Sequence, residues 1–199
     1  TDGDFESGRT IAGELLPDTI VDRDIVYVTG PKQAGTLNVL AANGQSLAIP
    51  AGTFNTISLL ANAVGGPAEG VFSIDGRDTT IWIQDYAEPL AQWNNRLVGG
   101  SFVEEPKQIA PGYINRQSVA WYGTHRHNAH GENEAYQFTY LFRVDLPMPA
   151  GARALTLPKN PRIRVFAATA FDNPHEVARP AQPLYDVLAA SLPRVIAHR

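Results

Sequence analysis

The chain has 199 residues, 44% of them hydrophobic and 18% charged, with a net charge of −4 and no cysteine. That length fits one domain with a core of its own, and the composition excludes a disordered or coiled-coil chain. There is no basic excess to attract nucleic acid or an anionic lipid surface, no apolar run of the roughly 20 residues that cross a bilayer, and no thiol for a disulfide or a cysteine zinc site. Neither nucleic acid nor a membrane is therefore expected as a partner.

In chain order, the opening TDGDFESGRT has neither a basic nor an apolar stretch of the kind a signal peptide carries, which fits a mature product or a piece of a longer chain. Short β-rich runs follow, separated by glycine and proline: Asp24–Thr29, Thr36–Ala41 and Ser46–Ile49, the last closed by Pro50-Ala51-Gly52. Thr56–Val64 is a longer apolar run stopped by Gly65-Gly66-Pro67. Gly70–Ile74 and Thr79–Ile83 flank Asp75-Gly76-Arg77-Asp78, a hairpin connection, and Trp82 in the second run is expected in the core. Gln117–Tyr122 is the next candidate strand. Ala135–Val144 alternates, so a period of two places Tyr136, Phe138, Tyr140 and Phe142 on one face. Ala154–Leu157 and Arg162–Ala170 complete the set. Only Pro183–Val195 has helical character, and Pro193 ends it. About ten short strands without βαβ alternation predict an all-β fold, an antiparallel β-sandwich of jelly-roll type. Residues 1–180 form the module, and 181–199 form a tail, short helix or linker.

Three groups of side chains carry candidate chemistry. The most polar is Thr124-His125-Arg126-His127-Asn128-Ala129-His130, which holds three of the five histidines. In a strand, His125 and His127 project to one side and could share a transition metal, with His130 or Glu132 as third ligand. The competing reading is a polar loop whose side chains bond carbonyls or carboxylates. The second group is aromatic. Trp93 stands in a polar stretch beside Asn94, Asn95 and Arg96, and Trp121 and Tyr122 precede His125, Arg126 and His127. An indole face beside hydroxyl-bonding groups is what a sugar ring requires, although a plug over one end of the sandwich would use Trp93 equally well. The third group is acidic. Asp4 and Glu6 near the start and Asp172 near the last strand could share a structural calcium if those ends meet; backbone-bonding turns are the plainer explanation.

Catalysis has little support. Asp85, Glu88, Glu104, Glu105, Glu132 and Glu134 are the carboxylates available for glycosidase work, and no pair sits in a recognisable motif. Nucleophile elbows, phosphate loops and dinucleotide fingerprints are missing from the sequence.

The run 43–60 (NGQSLAIPAGTFNTISLL), together with Gly13-Glu14-Leu15-Leu16-Pro17, Trp121–His127 and Val165–Asn173, resembles β-sandwich regions attached to bacterial secreted glycoside hydrolases, many of them described as α-mannosidase-like. The resemblance implies a galactose-binding-like jelly roll, a secreted or periplasmic bacterial location, and a role as a carbohydrate-binding module with a structural calcium. The expected function is therefore non-catalytic glycan binding through Trp93, Asn94, Arg96, Trp121, Tyr122, His125, Arg126 and His127, beside a glycosidase catalytic domain or subunit. The alternatives are a sandwich that only packs against that catalytic partner, and a metal-dependent enzyme built on the histidine cluster.

Overall fold

The computed structural model describes residues 5–33, 35–93, 96–98, 101–103 and 111–172; for those of them between 92 and 114 only the backbone is described. Among the described residues every regular element is a strand. The strands are β1 (Thr10–Ile11), β2 (Thr19–Asp22), β3 (Ile25–Val28), β4 (Leu40–Asn43), β5 (Ser46–Ala48), β6 (Thr56–Ala63), β7 (Ala68–Ile74) and β8 (Arg77–Ile83). Then follow β9 (Ala91–Trp93), β10 (Arg96–Val98), β11 (Ser101–Val103), β12 (Pro111–Ile114), β13 (Ser118–His127), β14 (Asn133–Pro147), β15 (Ala154–Thr156) and β16 (Lys159–Phe171). A six-stranded antiparallel sheet in the order β1-β13-β14-β6-β16-β4 faces a four-stranded one in the order β5-β15-β7-β8. The fold is an all-β sandwich, as the strand pattern predicts. Pro183–Val195 lies outside the described residues.

Strand β6 explains how the layers are held. Its sequence TISLLANA is apolar almost throughout, and all eight residues are buried. A strand of that kind must be covered on both faces. Ile57, Leu59, Ala61 and Ala63 point into the core between the sheets, where they meet Phe72, Ile83, Val144, Leu155, Leu157 and Ile163. Leu60 points the other way, into a second core with Phe5, Ile11, Leu16, Ile20, Ile25, Tyr27, Tyr86 and Leu141. The N-terminal segment, from Phe5 to the β2–β3 hairpin, thus forms a third layer over the back of the large sheet.

Polar contacts fix that layer in place. The buried Tyr27 hydroxyl is 2.7 Å from Ser58 Oγ, which donates to Asp145 Oδ1 at 2.5 Å. Arg143 bridges Asp145 and, at 3.3 Å, Asp22 on the hairpin. The hairpin turns at Arg23 and Asp24, both at positive φ (48° and 68°), which is the type I′ geometry that matches strand twist. The β7–β8 hairpin uses the same turn at Asp75 and Gly76 (φ 46° and 82°). Here Ile74 pairs directly with Arg77, so the connection is two residues and the second strand starts two residues before the expected Thr79. The Asp75 carboxylate also accepts the amides of Arg153 and Ala154, both at 3.0 Å, which ties the turn to β15.

Candidate functional site

The histidine segment is the end of β13, between β1 and β14. Thr10 pairs with His127 and Ile11 with Arg126 on one side; Ala135, Glu134 and Asn133 pair with His125, Arg126 and His127 on the other. Arg126 faces inward, on the same side as the buried Ile11. Its Nε donates to Glu134 Oε2 at 2.5 Å and its Nη1 to the Tyr86 hydroxyl at 3.2 Å, while Arg9 Nε reaches the same Glu134 oxygen at 3.2 Å. The Arg126 hydrogen bond holds the Glu134 carboxyl below its ordinary pKa, and burial pushes the Tyr86 phenol up. Arg126, read from the sequence as a sugar partner, is therefore committed to the interior. Side chains alternate along a strand, so the flanking His125 and His127 face away from it.

A register shift lies between Gly123 and His125, where β14 advances four residues, from Thr139 to Ala135, while β13 advances two. Trp121 packs against the second core, half-buried, rather than presenting a free face. Tyr122 pairs with Tyr140 and lies on the opposite side, the side of Phe142 and Val144. The bulge also needs Gly123: a Cβ there would lie 2.8 Å from Thr139 Oγ1 and 3.0 Å from the Trp121 ring.

Glu14 completes the cluster from the N-terminal layer. The turn after β1 is closed by the Leu15 amide donating to Ala12 O and the Leu16 amide donating to Gly13 O, with Ala12 and Leu16 buried as anchors. Glu14 is left at the surface, and its Oε1 lies 2.8 Å from His125 Nε2 and 3.0 Å from His127 Nε2. Burial raises the Glu14 pKa, but its backbone amide and the two imidazoles together hold the carboxyl below its usual range. An ionised carboxylate only accepts hydrogen bonds, so both Nε2 atoms carry the proton. Among the described residues these are the three carboxylate or imidazole groups whose ligand atoms all lie within 4.8 Å of one another.

Strands β13 and β14 also present aromatic rings to solvent. Tyr122 is 58% exposed and Phe138 38% exposed, with ring centroids 6.4 Å apart. Tyr136, placed by strict alternation in line with Phe138, instead sits at φ 60° in the stretch of β14 opposite the bulge.

The AziU2-like beta-sandwich domain model matches residues 1–174. The chain belongs to this family. No curated protein matches it.

The remaining sequence candidates fall elsewhere on the AziU2-like domain. Trp82 is not in the core: it is 56% exposed, because Ile81 and Ile83 take the inward positions of β8 and Trp82 falls between them on the outer face. The backbones of Trp93 and Arg96 lie in β9 and β10; their side chains and Asn94 lie outside the described residues. Asp4 does too. Glu6 stands at one end of β6, where its Oε1 would be 3.3 Å from a Cβ on Gly65, and Asp172 follows Phe171, which pairs with Thr56 at the other end. The eight residues of β6, roughly 27 Å of strand, separate them, so these two carboxylates are not drawn around one ion.

His130 and Glu132 belong to the tight β13–β14 turn and do not join His125 and His127. Asn128 Oδ1 accepts the amides of His130 (2.9 Å) and Glu132 (3.0 Å), and its Nδ2 donates to the Glu132 carboxylate. The third member of the cluster is Glu14, from the turn after β1. Its only signal was a position 111 residues from His125, and no spacing rule connects them.

The carboxylates considered for glycosidase chemistry have structural partners. Asp85 accepts the amides of Gly66, Ala87 and Glu88, Glu134 holds two arginines, and Glu88 accepts from Gln84. Glu104 and Glu105 lie outside the described residues. A groove of about 360 Å³ lined by Ile74, Arg77, Thr79, Pro147, Met148 and Pro149 contains none of the sequence candidates.

Proposed function

We propose that the AziU2-like domain is a non-catalytic carbohydrate-binding module acting outside the cytoplasm beside a glycoside hydrolase. The observation that carries this reading is the open face of β13 and β14. Tyr122 and Phe138 lie side by side there, and His125 and His127, joined by Glu14, follow on the same strand as Tyr122. A pyranose offers a C–H face for the rings and hydroxyls for the imidazoles and the carboxylate. The arrangement is a surface platform, suited to an extended chain. The anchors are Tyr122 and Phe138; Trp121 supports the strand from beneath. The family match supports the sandwich. The link to a glycosidase rests on the sequence resemblance alone.

Calorimetric titration with mannose-, galactose- and glucose-based oligosaccharides tests the reading. A dissociation constant between about 1 mM and 1 μM is expected for one of these series. Tyr122→Ala and Phe138→Ala should each weaken binding roughly fivefold, about 1 kcal/mol of stacking. Binding by none of the series, or binding indifferent to both substitutions, rejects it.

A second reading has its own observation. Val21, Val26 and Val28 are exposed together on the outer face of the β2–β3 hairpin. Three large aliphatic side chains in water on one small face favour a packing role against a catalytic partner. In that case Val26→Lys weakens co-elution with a glycosidase domain, and the wild type binds none of the oligosaccharide series.

A further inference from the structure

We propose that Glu14, His125 and His127 form a binding site for a divalent first-row transition metal ion of the zinc class. The inference does not depend on the carbohydrate reading. A routine surface ion pair joins one imidazole to one carboxylate. Here two imidazole Nε2 atoms converge on a single carboxylate oxygen, at 2.8 and 3.0 Å. Three donor atoms around one point are a chelating set.

The chemistry of the donors selects the ion. Two nitrogens and one oxygen suit zinc and its neighbours, whereas calcium and magnesium prefer oxygen donors throughout. Three protein ligands with a solvent-facing side leave a fourth position for water, the arrangement of an open zinc site. With metal–ligand bonds of about 2.0–2.1 Å, tetrahedral ligand atoms stand about 3.3 Å apart. The cluster must therefore open by a few tenths of an ångström. Glu14, whose side chain is half-exposed, can supply that movement. The rings must also release their Nε2 protons, which a neutral imidazole does by moving the proton to Nδ1.

Each ligand is held from behind. His125 and His127 flank Arg126, which is fixed by Glu134 and Tyr86, and β13 is laddered on both sides by β1 and β14. Glu14 is fixed by the turn between the buried Ala12 and Leu16. The site thus joins the N-terminal layer to the large sheet, so a bound ion should also clamp that layer down.

The test uses the full chain, stripped of metal by a chelator and titrated with zinc sulfate alone, with no oligosaccharide present. One equivalent should bind at micromolar or tighter affinity and raise the melting temperature. His125→Ala and His127→Ala should each weaken it by more than the about 10–100-fold typical of losing a residue that hydrogen-bonds a metal ligand. Glu14→Gln should weaken it about tenfold, and His130→Ala should leave it unchanged. Cobalt in place of zinc should give the visible absorption of a tetrahedral site in the wild type and lose it in the histidine variants. Failure of the wild type to bind overturns the proposal. So does an equivalent that survives at wild-type affinity in a folded His125→Ala/His127→Ala double variant. The carbohydrate reading stands or falls separately, on the Tyr122 and Phe138 variants.

Discussion

The two faces of β6 are buried to the same extent and held in different ways. Toward the four-stranded sheet, Ile57, Leu59, Ala61 and Ala63 pack into an apolar cluster. Toward the N-terminal layer, Leu60 is flanked by Ser58, which joins Tyr27 to Asp145, and by Asn62, whose amide donates to Tyr140 O at 3.1 Å. Apolar contact is non-directional: it drives the sheets together without choosing a register. A hydrogen-bonded chain through Tyr27, Ser58, Asp145, Arg143 and Asp22 has one geometry. The inner face therefore supplies most of the stability. The outer face decides where residues 5–28 lie, and hence that Glu14 arrives beside His125 and His127.

The comparison breaks if the two faces respond alike to substitution. The largest effect is expected at Leu59, which is fully buried between the sheets. Leu59→Ala should cost about 2–5 kcal/mol in urea unfolding, the lost transfer energy plus an unfilled cavity. The next is Tyr27→Phe, which keeps the ring and removes one hydroxyl. Ser58 retains Asp145, so no buried partner is orphaned and the loss should be about 1 kcal/mol. Hydrogen exchange should sharpen the contrast. Tyr27→Phe should speed exchange over β2 and β3 more than over β6, while Leu59→Ala should speed it in both sheets. Equal losses for the two variants would remove the distinction between a face that stabilises and a face that positions.

The inner face was legible in the sequence and the outer one was not. Thr56–Val64 reads as a strand because continuous apolar runs between turn signals have few other uses, and Asp75-Gly76 marks its turn because glycine tolerates positive φ. Arg23 and Asp24 make the same turn without glycine, so β2 and the hairpin left no comparable mark. Local alternation places Phe138, Tyr140 and Phe142 on one side of β14 but carries no sign of the register shift between Thr139 and Ala135, within which Tyr136 takes a positive φ. At Trp82 the alternation itself was sound, with Ile81 and Ile83 inward; the error lay in assigning a core to both sides of a sheet that is covered on one. The His125–His127 half of the cluster is a two-residue spacing and could be read. Glu14 belongs to a contact between distant segments, created by the third layer, and a one-dimensional pattern carries no trace of it.

The smallest effect is expected where the outer layer ends at solvent. The Glu14 carboxyl is held below its ordinary pKa in the folded protein, so folding favours its ionised form. The stabilisation is then fully present above the ordinary carboxylate range and is lost as pH falls through the depressed folded value. Glu14→Gln removes it at every pH. At neutral pH, with metal absent, the variant should be less stable than the wild type by under about 1 kcal/mol, since the carboxylate is half-exposed and solvent screens the pair. The gap should shrink with added salt and close as the solution is acidified below the carboxylate range, because wild-type Glu14 is by then neutral as well. Thermal melts of both proteins across that range measure it. A gap that widens on acidification would mean that Glu14 is held by its uncharged form, and that the histidines and the N-terminal layer are not joined through charge.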